Sequence, residues 1–361
     1  MKLVVLGLSL SSSWGNGHAT TYRALLSAFA ACGHQVLFLE RDVPWYADNR
    51  DLPDPDFCRL GLYRDLDDLA RWTREIARAD AVIVGSYVPE GEAVGRFVQR
   101  VATGVTGFYD IDTPVTLAKL ARGDHEYLSP DLIPGYDLYL SFTGGPTLQR
   151  IEREYRSPAA RALYCSVDPA AYQPRAGAKR WDLSYLGTYS PDRQPVLERL
   201  LIEPARACPD RRFVVAGPQY PAGIDWPANV ERVQHLPPRE HAGFYSASRW
   251  TLNVTRADMV AAGWSPSVRL FEAAACATPI VSDRWAGLDT LFTPDREIVL
   301  AETAADVIAA LARPDADADA IGRAGQCRVL AGHTAAHRAA ALEAALREAM
   351  LRTTPLVIRA G

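Results

Sequence analysis

Residues 265–283 read SPSVRLFEAAACATPIVSD, and this stretch says more about the fold than any other. Its pattern predicts a short helix over residues 267–276, followed at once by a buried strand over residues 279–282. On this helix Glu272 lies among alanines and beside Phe271. A carboxylate in such surroundings has to be paired or has to face a cleft. The stretch is therefore either a core helix with a salt-bridged glutamate or part of a ligand site.

The beginning of the predicted helix suits a phosphorylated ligand that is rich in hydroxyl groups. The first N–H groups of a helix have no partner within it and can bind a phosphate. The Glu272 carboxylate can hold the two hydroxyls of a ribose. The stretch resembles the nucleotide-sugar-binding segment of retaining GT-B glycosyltransferases, and most closely that of the spore-maturation branch, which also reads S-x-R-L-F-E-A-x-A-C-x-T-P-I-V-S-D. The resemblance implies that the donor is contacted by Ser267, Arg269, Leu270 and Glu272.

The composition is that of an ordinary globular protein. The chain has 361 residues, a hydrophobic content of 48% and a net charge of −4, which together favour about two domains and give no basic surplus for nucleic acid. Six cysteines without a CxxC pair suit reduced thiols in a cytoplasmic protein. No apolar run is long enough to span a membrane, so we expect at most peripheral membrane contact.

Strand-like and helix-like runs alternate along the chain, which predicts an α/β fold with two Rossmann-like domains and parallel sheets that face a cleft. We expect an acceptor domain over residues 1–162, a nucleotide-sugar domain over 163–340, and a final helix and tail over 341–361 that packs back on the first domain. The connector over 162–179 resembles N-G-V-D-x-x-x-F-x-P of these glycosyltransferases. Residues 43–57, VPWYADNRDLPDPDF, predict a surface excursion and a candidate acceptor contact.

The first predicted strand is followed by the turn SSSWGNGHATT. In the resembling family a glycine-rich turn here approaches the donor diphosphate, which makes Gly15 and Gly17 candidates; a tight turn without a ligand is the alternative. Thr20 stands where a third glycine would complete a dinucleotide fingerprint, so a dehydrogenase is disfavoured. The helix dipole should lower the pKa of His18, which could act as a base or polarise a hydroxyl, or could simply cap the helix.

The sequence DIDTPVT places Asp110 and Asp112 after another predicted strand. Ligands bind beyond the carboxyl ends of parallel strands, where two carboxylates suit general-base work or sugar recognition. The sequence also resembles a signature of the spore-maturation branch. For Asp112 a helix start before Thr-Pro is the structural alternative.

The second half supplies the candidates for the diphosphate and the base. The resembling family has two basic residues after the glycine that corresponds to Gly187, whereas this chain has Thr188 in the first place and Arg193 in the second. Arg269 could replace the missing cation. Further candidates follow two more predicted strands: Gly217, which ends one of them, and the backbone of His235 and Leu236, which is where the family usually holds the base.

One departure concerns the sugar itself. Much of the retaining family has two glutamates eight positions apart; Glu272 matches the second, and Trp264 stands at the first. Asn253, Asp258, Gly263 or Ser265 could take over the sugar contact, or backbone amides could.

The sequence therefore predicts a glycosyltransferase that moves a sugar from a nucleotide-sugar to a small-molecule, glycan, lipid-linked or protein acceptor. Retention and independence of metal are implied by the resemblance, and we expect no cofactor. His333 and His337 are four apart but lack a third metal ligand. The catalytic candidates are Asp110, Asp112, His18 and Arg193. The alternatives are a nucleotide-sugar epimerase of the same fold and a non-catalytic sugar-nucleotide-binding protein.

Overall fold

The computed structural model describes residues 1–14 and 17–353. The chain forms two compact units. Unit 1 consists of Met1–Cys165 together with the chain from Ala335 onward, and unit 2 is Ser166–Thr334. Both are α/β units with a parallel sheet, as the alternating pattern predicts. None of the helices within the described residues is both long and apolar enough to cross a lipid bilayer.

Unit 1 is built on seven strands. They are β1 (Lys2–Gly7), β2 (Gln35–Arg41), β3 (Arg59–Tyr63), β4 (Ala81–Gly85), β5 (Val105–Asp110), β6 (Leu138–Ser141) and β7 (Ala160–Ala162). Its helices up to residue 165 are α1 (His18–Ala31), α2 (Pro44–Ala47), α3 (Leu66–Leu69), α4 (Thr73–Ala77), α5 (Gly91–Val101), α6 (Thr113–Ala121) and α7 (Pro146–Glu154). The strand order is β3-β2-β1-β4-β5-β6-β7, and all pairs are parallel.

The central strands of unit 1 are buried along their whole length, as expected for a parallel sheet that is covered on both faces. Every residue of β4 and β5 is buried. The sequence predicts one helix over residues 65–79, but the structure has α3, a 3₁₀ turn at Ala70–Trp72 and α4 there. The break falls at Trp72, whose indole packs against Gly61 of β3.

Unit 2 repeats the design with six strands. They are β8 (Trp181–Leu186), β9 (Phe213–Ala216), β10 (Val230–Val233), β11 (Ser248–Asn253), β12 (Ile280–Ser282) and β13 (Val299–Leu300). Its helices are α8 (Gln194–Leu197), α9 (Glu203–Ala207), α10 (Pro238–Ser246), α11 (Ala257–Ala262), α12 (Val268–Ala275), α13 (Ala304–Ala312) and α14 (Asp315–Gly332). The order is β10-β9-β8-β11-β12-β13. A π-helical turn at Glu198–Ile202 joins α8 to α9 directly before Pro204, since proline cannot donate the next helical hydrogen bond.

The last helix, α15 (Ala335–Thr353), belongs to unit 1. Arg161 of β7 pairs with Glu348 of this helix at 2.6 Å between Nη2 and Oε1. Arg338 donates from Nε to the carbonyls of Tyr164 and Cys165 at 3.2 and 3.3 Å. The chain therefore leaves unit 1 at residue 165 and returns to it at residue 335, whereas the sequence suggests boundaries after residues 162 and 340.

The strand order reverses once in each sheet. The reversal lies between β1 and β4 in unit 1 and between β8 and β11 in unit 2. At such a point the connections leave toward opposite sides and open a crevice at the carboxyl ends of the strands, which is where open α/β sheets bind ligands. A ligand site is therefore expected at the reversal point of each sheet.

Candidate functional site

In unit 2, Arg269 spans the reversal point. Its Nε donates to the carbonyl of Leu186 at the end of β8, at 2.6 Å, and its Nη1 donates to Asn253 Oδ1 at the end of β11, at 3.0 Å. The guanidinium lies 5.0 Å from the centre of the Tyr185 ring. Nη2 has no hydrogen-bond partner among the residues that the structure describes, so this nitrogen can reach a ligand.

Two glycines let the strand ends approach closely here. A Cβ at Gly187 would lie 2.6 Å from Tyr185 Oη and 3.0 Å from Arg269 Nη2. Gly217 has φ +145°, and a Cβ there would lie 2.1 Å from the carbonyl oxygen of Gly187. At position 217 only glycine fits without a shift of the backbone, whereas at position 187 a larger residue would displace the side chains of Tyr185 and Arg269. Both predicted glycines therefore lie together with Arg269 at one edge of the sheet.

Arg193 lies next to this edge, directly before α8. Its Nη2 donates to the carbonyl of Thr188 at 2.6 Å, whereas its buried Nε has no hydrogen-bond partner in the described part of the chain. Burial lowers the pKa of Arg193, and the like charges of Arg269 and Arg256 lower it further. Three guanidinium groups thus act on one another. Arg193 and Arg269 donate to neutral acceptors, which leaves their positive charge free to meet an anion.

Glu272 is 5% exposed and lies among three polar side chains from other segments. Tyr245 donates to its Oε2 at 3.3 Å, and His241 Nδ1 lies 3.9 Å from the same oxygen. The Tyr172 hydroxyl lies 3.3 Å from the same His241 Nδ1. Burial, and then the charge of Glu272, raise the pKa of both tyrosines well above the ordinary value.

His241 connects Glu272 with the loop after β10. Its Nε2 lies 3.2 Å from the carbonyl oxygen of Leu236. The two residues that the sequence assigns to the ribose and to the base are therefore joined by one imidazole. His235, the other predicted residue of this loop, is exposed.

The Ser267 hydroxyl and the Leu270 amide both donate hydrogen bonds within unit 2. Ser267 precedes α12, and its Oγ donates to Asn253 Oδ1 at 2.7 Å. The side chain of Leu270 is fully buried and its amide donates to the carbonyl of Ser267 at 3.2 Å, so its donor contact stays a prediction. Asn253 is equally enclosed, with both ends of its amide bonded within unit 2.

Trp264 and Gly263 form a strained turn before α12. Trp264 has φ +43°, which a bulky side chain rarely adopts, and its amide donates to the carbonyl of Ala286 at 2.6 Å. Its ring packs against Gly287, where a Cβ would lie 2.4 Å from the ring atoms. Asp258 is exposed on α11.

In unit 1, His18 is the first residue of α1 and is 9% exposed. Burial lowers its pKa to about 4, so the direction expected from the sequence holds although the cause differs. Its Nδ1 has no hydrogen-bond partner among residues 1–14 and 17–353. The imidazole meets the Tyr87 ring edge-on at 5.3 Å between centroids, which joins the ends of β1 and β4.

The two aspartates after β5 have different surroundings. Asp110 is fully buried, and its carboxylate accepts from Tyr139 at 2.5 Å and from Thr116 at 2.7 Å. Burial raises its pKa to about 6. This enclosure favours a structural role for Asp110, and its catalytic role stays a prediction. Asp112 is half-buried, and its Oδ2 accepts from Tyr87 at 3.4 Å.

Of the predicted glycines in the first turn, Gly15 lies outside the described residues. Gly17 immediately precedes α1, and a Cβ there would meet nothing within 4 Å. Nothing in the packing therefore requires glycine at position 17. Within the described chain, no group of three or more His, Cys, Asp and Glu side chains is arranged to hold a metal ion.

The chain is similar to a known protein family and to several solved structures. Residues 193–344 match the family model described as glycosyl transferase-like. Sucrose-phosphate synthase from Thermosynechococcus elongatus is 16% identical and matches over 98% of this chain and 100% of its own, with a TM-score of 0.69. The Anabaena protein HepE, solved with UDP-glucose, is 12% identical over 96% and 100%, with a TM-score of 0.71.

The fold is that of the GT-B glycosyltransferases. A Listeria monocytogenes structure assigned as a UDP-N-acetylglucosamine 2-epimerase shares it, with 13% identity over 98% of this chain and 97% of its own and a TM-score of 0.61. Among curated proteins, no sequence matches this chain. At such low identities these matches establish the GT-B fold and leave the activity to the residues of the site.

Sequence reasoning missed several residues that the GT-B fold brings to the site. Tyr172, His241 and Tyr245 surround Glu272 but come from the connector and from α10. His241 and Tyr245 are four apart on one helix, and this spacing was the signal that could have paired them. Arg256 and Tyr87 follow strand ends, and neither belongs to a sequence motif that would have identified it.

Proposed function

We propose that this protein is a glycosyltransferase whose unit 2 binds a nucleotide-sugar donor. The observation that carries the proposal is the arrangement around the ends of β8 and β11. There the guanidiniums of Arg193 and Arg269 lie beside the close-approach glycine Gly187, and a carboxylate, Glu272, follows on α12. Cations suit a diphosphate, and a carboxylate suits the vicinal hydroxyls of a ribose.

The proposed roles follow from the atoms that remain free. Nη2 of Arg269 and Nη1 of Arg193 have no hydrogen-bond partner among the described residues and would bind the diphosphate. The first N–H groups of α12 would add to this charge. Both cations would stabilise the negative charge that grows on the leaving diphosphate as the glycosidic bond breaks, which is the main catalytic term that we assign.

The reaction would proceed with retention and without a metal ion, and the chain would belong to the spore-maturation branch; all three follow from the resemblance of residues 265–283. In retaining transfer the leaving phosphate can take the proton of the acceptor, so no strong base is required. Unit 1 would hold the acceptor, with Asp112, Tyr87 and His18 as candidate contacts.

UDP-glucose is the first donor to test, because HepE was solved with it. Saturation at about 100 times the dissociation constant stabilises a protein by about 2.7 kcal/mol. For a unit of this size we expect a rise in the melting temperature of about 5–10 °C. UDP should give the shift, and uridine should give less of it.

Slow hydrolysis of UDP-glucose or another nucleotide-sugar without an acceptor would support the transferase. An epimerase is the second candidate, favoured by the shared fold of the Listeria protein. It would convert one nucleotide-sugar into another, which NMR of the anomeric proton detects. Binding without any turnover would leave a sugar-nucleotide-binding protein, and the absence of any nucleotide-induced shift would refute all three.

A further inference from the structure

Two of the most exposed large apolar side chains lie at the ligand edge of unit 1. Trp14 is 57% exposed and Trp45 is 54% exposed, and they are the aromatic members of the five exposed large hydrophobic residues in the described chain. Trp14 follows β1, and Trp45 lies in α2 after β2, the neighbouring strand. Both segments leave the carboxyl ends of the sheet, where α/β folds bind ligands.

Ser12 and Asn49 hold the two tryptophan segments together. The backbone carbonyl of Asn49 accepts from Ser12 Oγ at 2.8 Å, and the same Oγ accepts from the amide of Trp14 at 3.3 Å. The side-chain amide of Asn49 donates to the carbonyl of Trp45 at 2.8 Å. The backbones of Trp14 and Trp45 are therefore linked through Ser12 and Asn49, and we call their two exposed indoles the tryptophan patch (Trp14 and Trp45).

Further hydrogen bonds hold the two segments that carry the tryptophans. Arg23 holds Asp51 with two hydrogen bonds, at 2.9 and 2.7 Å, and Ser13 donates to the same carboxylate from its amide and from its hydroxyl. The amide of Leu52 donates to the carbonyl of Ser11 at 2.9 Å. Rigid aromatic groups that stay exposed lose little entropy when they bind a partner, which is typical of recognition surfaces.

The charges around the patch restrict the class of ligand that it can bind. Asp51 and Asp42 are paired with Arg23 and Arg50. The same segment carries Asp48, Asp54 and Asp56, for which no ion pair exists among the described residues. An acidic surround repels phosphorylated molecules and anionic lipids. Carboxylates accept hydrogen bonds from hydroxyl groups, and a pyranose ring offers a C–H face to an indole with hydroxyls around its edge.

We infer that the tryptophan patch binds a neutral saccharide and that this saccharide is the acceptor. The statement that the saccharide is the acceptor rests on the proposed transferase function, since an acceptor needs a donor. The sugar ring stacks on the indoles, and the carboxylates of the 42–56 segment accept hydrogen bonds from its hydroxyl groups.

The test uses the full chain and three variants: Trp45→Ala, the double variant Trp14→Ala/Trp45→Ala, and Trp45→Phe. Leu351→Ala is the matched control, because Leu351 is an exposed apolar residue of the same unit, at 80% exposure. Maltose, cellobiose and lactose serve as probes in saturation-transfer NMR, with glucose 6-phosphate and anionic phosphatidylglycerol vesicles as the contrasting ligands. The hydrolysis of UDP-glucose without acceptor is measured in parallel.

We expect each lost indole to weaken saccharide binding and kcat/KM for the acceptor about tenfold, and the double variant to lose about a hundredfold. Trp45→Phe should recover part of the loss, and Leu351→Ala should lose nothing. Because the ligand is neutral, its binding should change less than twofold between about 20 and 300 mM salt. Donor hydrolysis should stay unchanged in all variants.

The inference is overturned if the double variant keeps saccharide binding, if no probe saccharide binds the unaltered protein, or if glucose 6-phosphate or the vesicles bind at the patch instead. An equal loss of donor hydrolysis would also overturn it, because the effect would then lie outside the patch. If the unaltered protein binds saccharides but no nucleotide, the transferase proposal fails while the saccharide site stands.

Discussion

Replacing Arg193 with methionine separates phosphate binding from folding. The guanidinium of Arg193 offers Nη1 to a ligand, and its loss removes at least one charge-assisted hydrogen bond, worth about 1.5–3 kcal/mol. The dissociation constant of UDP should therefore rise about 10- to 150-fold, whereas that of uridine should change less than about twofold.

The same replacement should barely affect folding. It breaks the Nη2 bond to Thr188 but also removes a buried Nε that has no partner and a charge next to Arg269 and Arg256. Burial and these like charges lower the pKa of Arg193, which means that the folded state disfavours its charge. We expect the free energy of unfolding to change by less than about 1 kcal/mol.

Titration calorimetry with UDP and uridine, and urea unfolding of both proteins, measure the two quantities. Arg269→Met is the contrasting variant: it removes the hydrogen bonds to Leu186 O and Asn253 Oδ1, of which the second oxygen keeps Ser267 Oγ as a donor, so it should cost about 1–3 kcal/mol of stability. An equal loss of uridine and UDP binding in Arg193→Met would refute the phosphate role.

Three further changes test the remaining residues. Glu272→Gln should weaken uridine and UDP about equally, by about 1.5–3 kcal/mol, because both contain the ribose; calorimetry that shows a loss for UDP alone would contradict this. His18, with a folded pKa of about 4 against 6.5, is favoured neutral, so it contributes stability above pH 6.5 that is lost as the pH falls toward 4. His18→Asn should flatten that part of the urea-midpoint profile, and an unchanged slope would speak against its burial. Asp110, with a folded pKa of about 6 against 3.8, costs stability as the pH rises from about 4 to 6, so Asp110→Asn should gain relative stability across that window.

The sequence predicts the fold well because the inner strands of the two parallel sheets are short, mostly apolar runs. The segment 81–85 was predicted with the bounds that the structure has for β4, and 213–216 with those of β9. Short edge strands escaped: β3 follows a proline-rich stretch, and β7 has three residues. The π-helical turn between α8 and α9 depends on Pro204 and on tertiary packing, which helical periodicity does not show.

The candidate site was predicted where one continuous motif carries it. Arg269 and Glu272 come from a single stretch, and both lie at the reversal point of unit 2 or beside it. Tyr172 and His241 meet Glu272 only because the fold brings three distant segments together. Asp110 ends β5 with its carboxylate toward Tyr139 of the next strand, which the sequence does not show. Two residues further, Asp112 has left the sheet.

The two units share one strand order but carry opposite chemistry at the point where that order reverses. In unit 2 the reversal point is lined by guanidinium groups that donate to neutral acceptors and so keep their charge for an anion. In unit 1 the same place holds a neutral His18 beside an aromatic ring, and the neighbouring segment is acidic and carries exposed indoles. A diphosphate is attracted to the first and repelled by the second, whereas a neutral hydroxyl-rich ring suits the second. Charge alone would therefore sort the two substrates of a transferase between two units of the same architecture, and it would keep the donor from occupying the place of the acceptor.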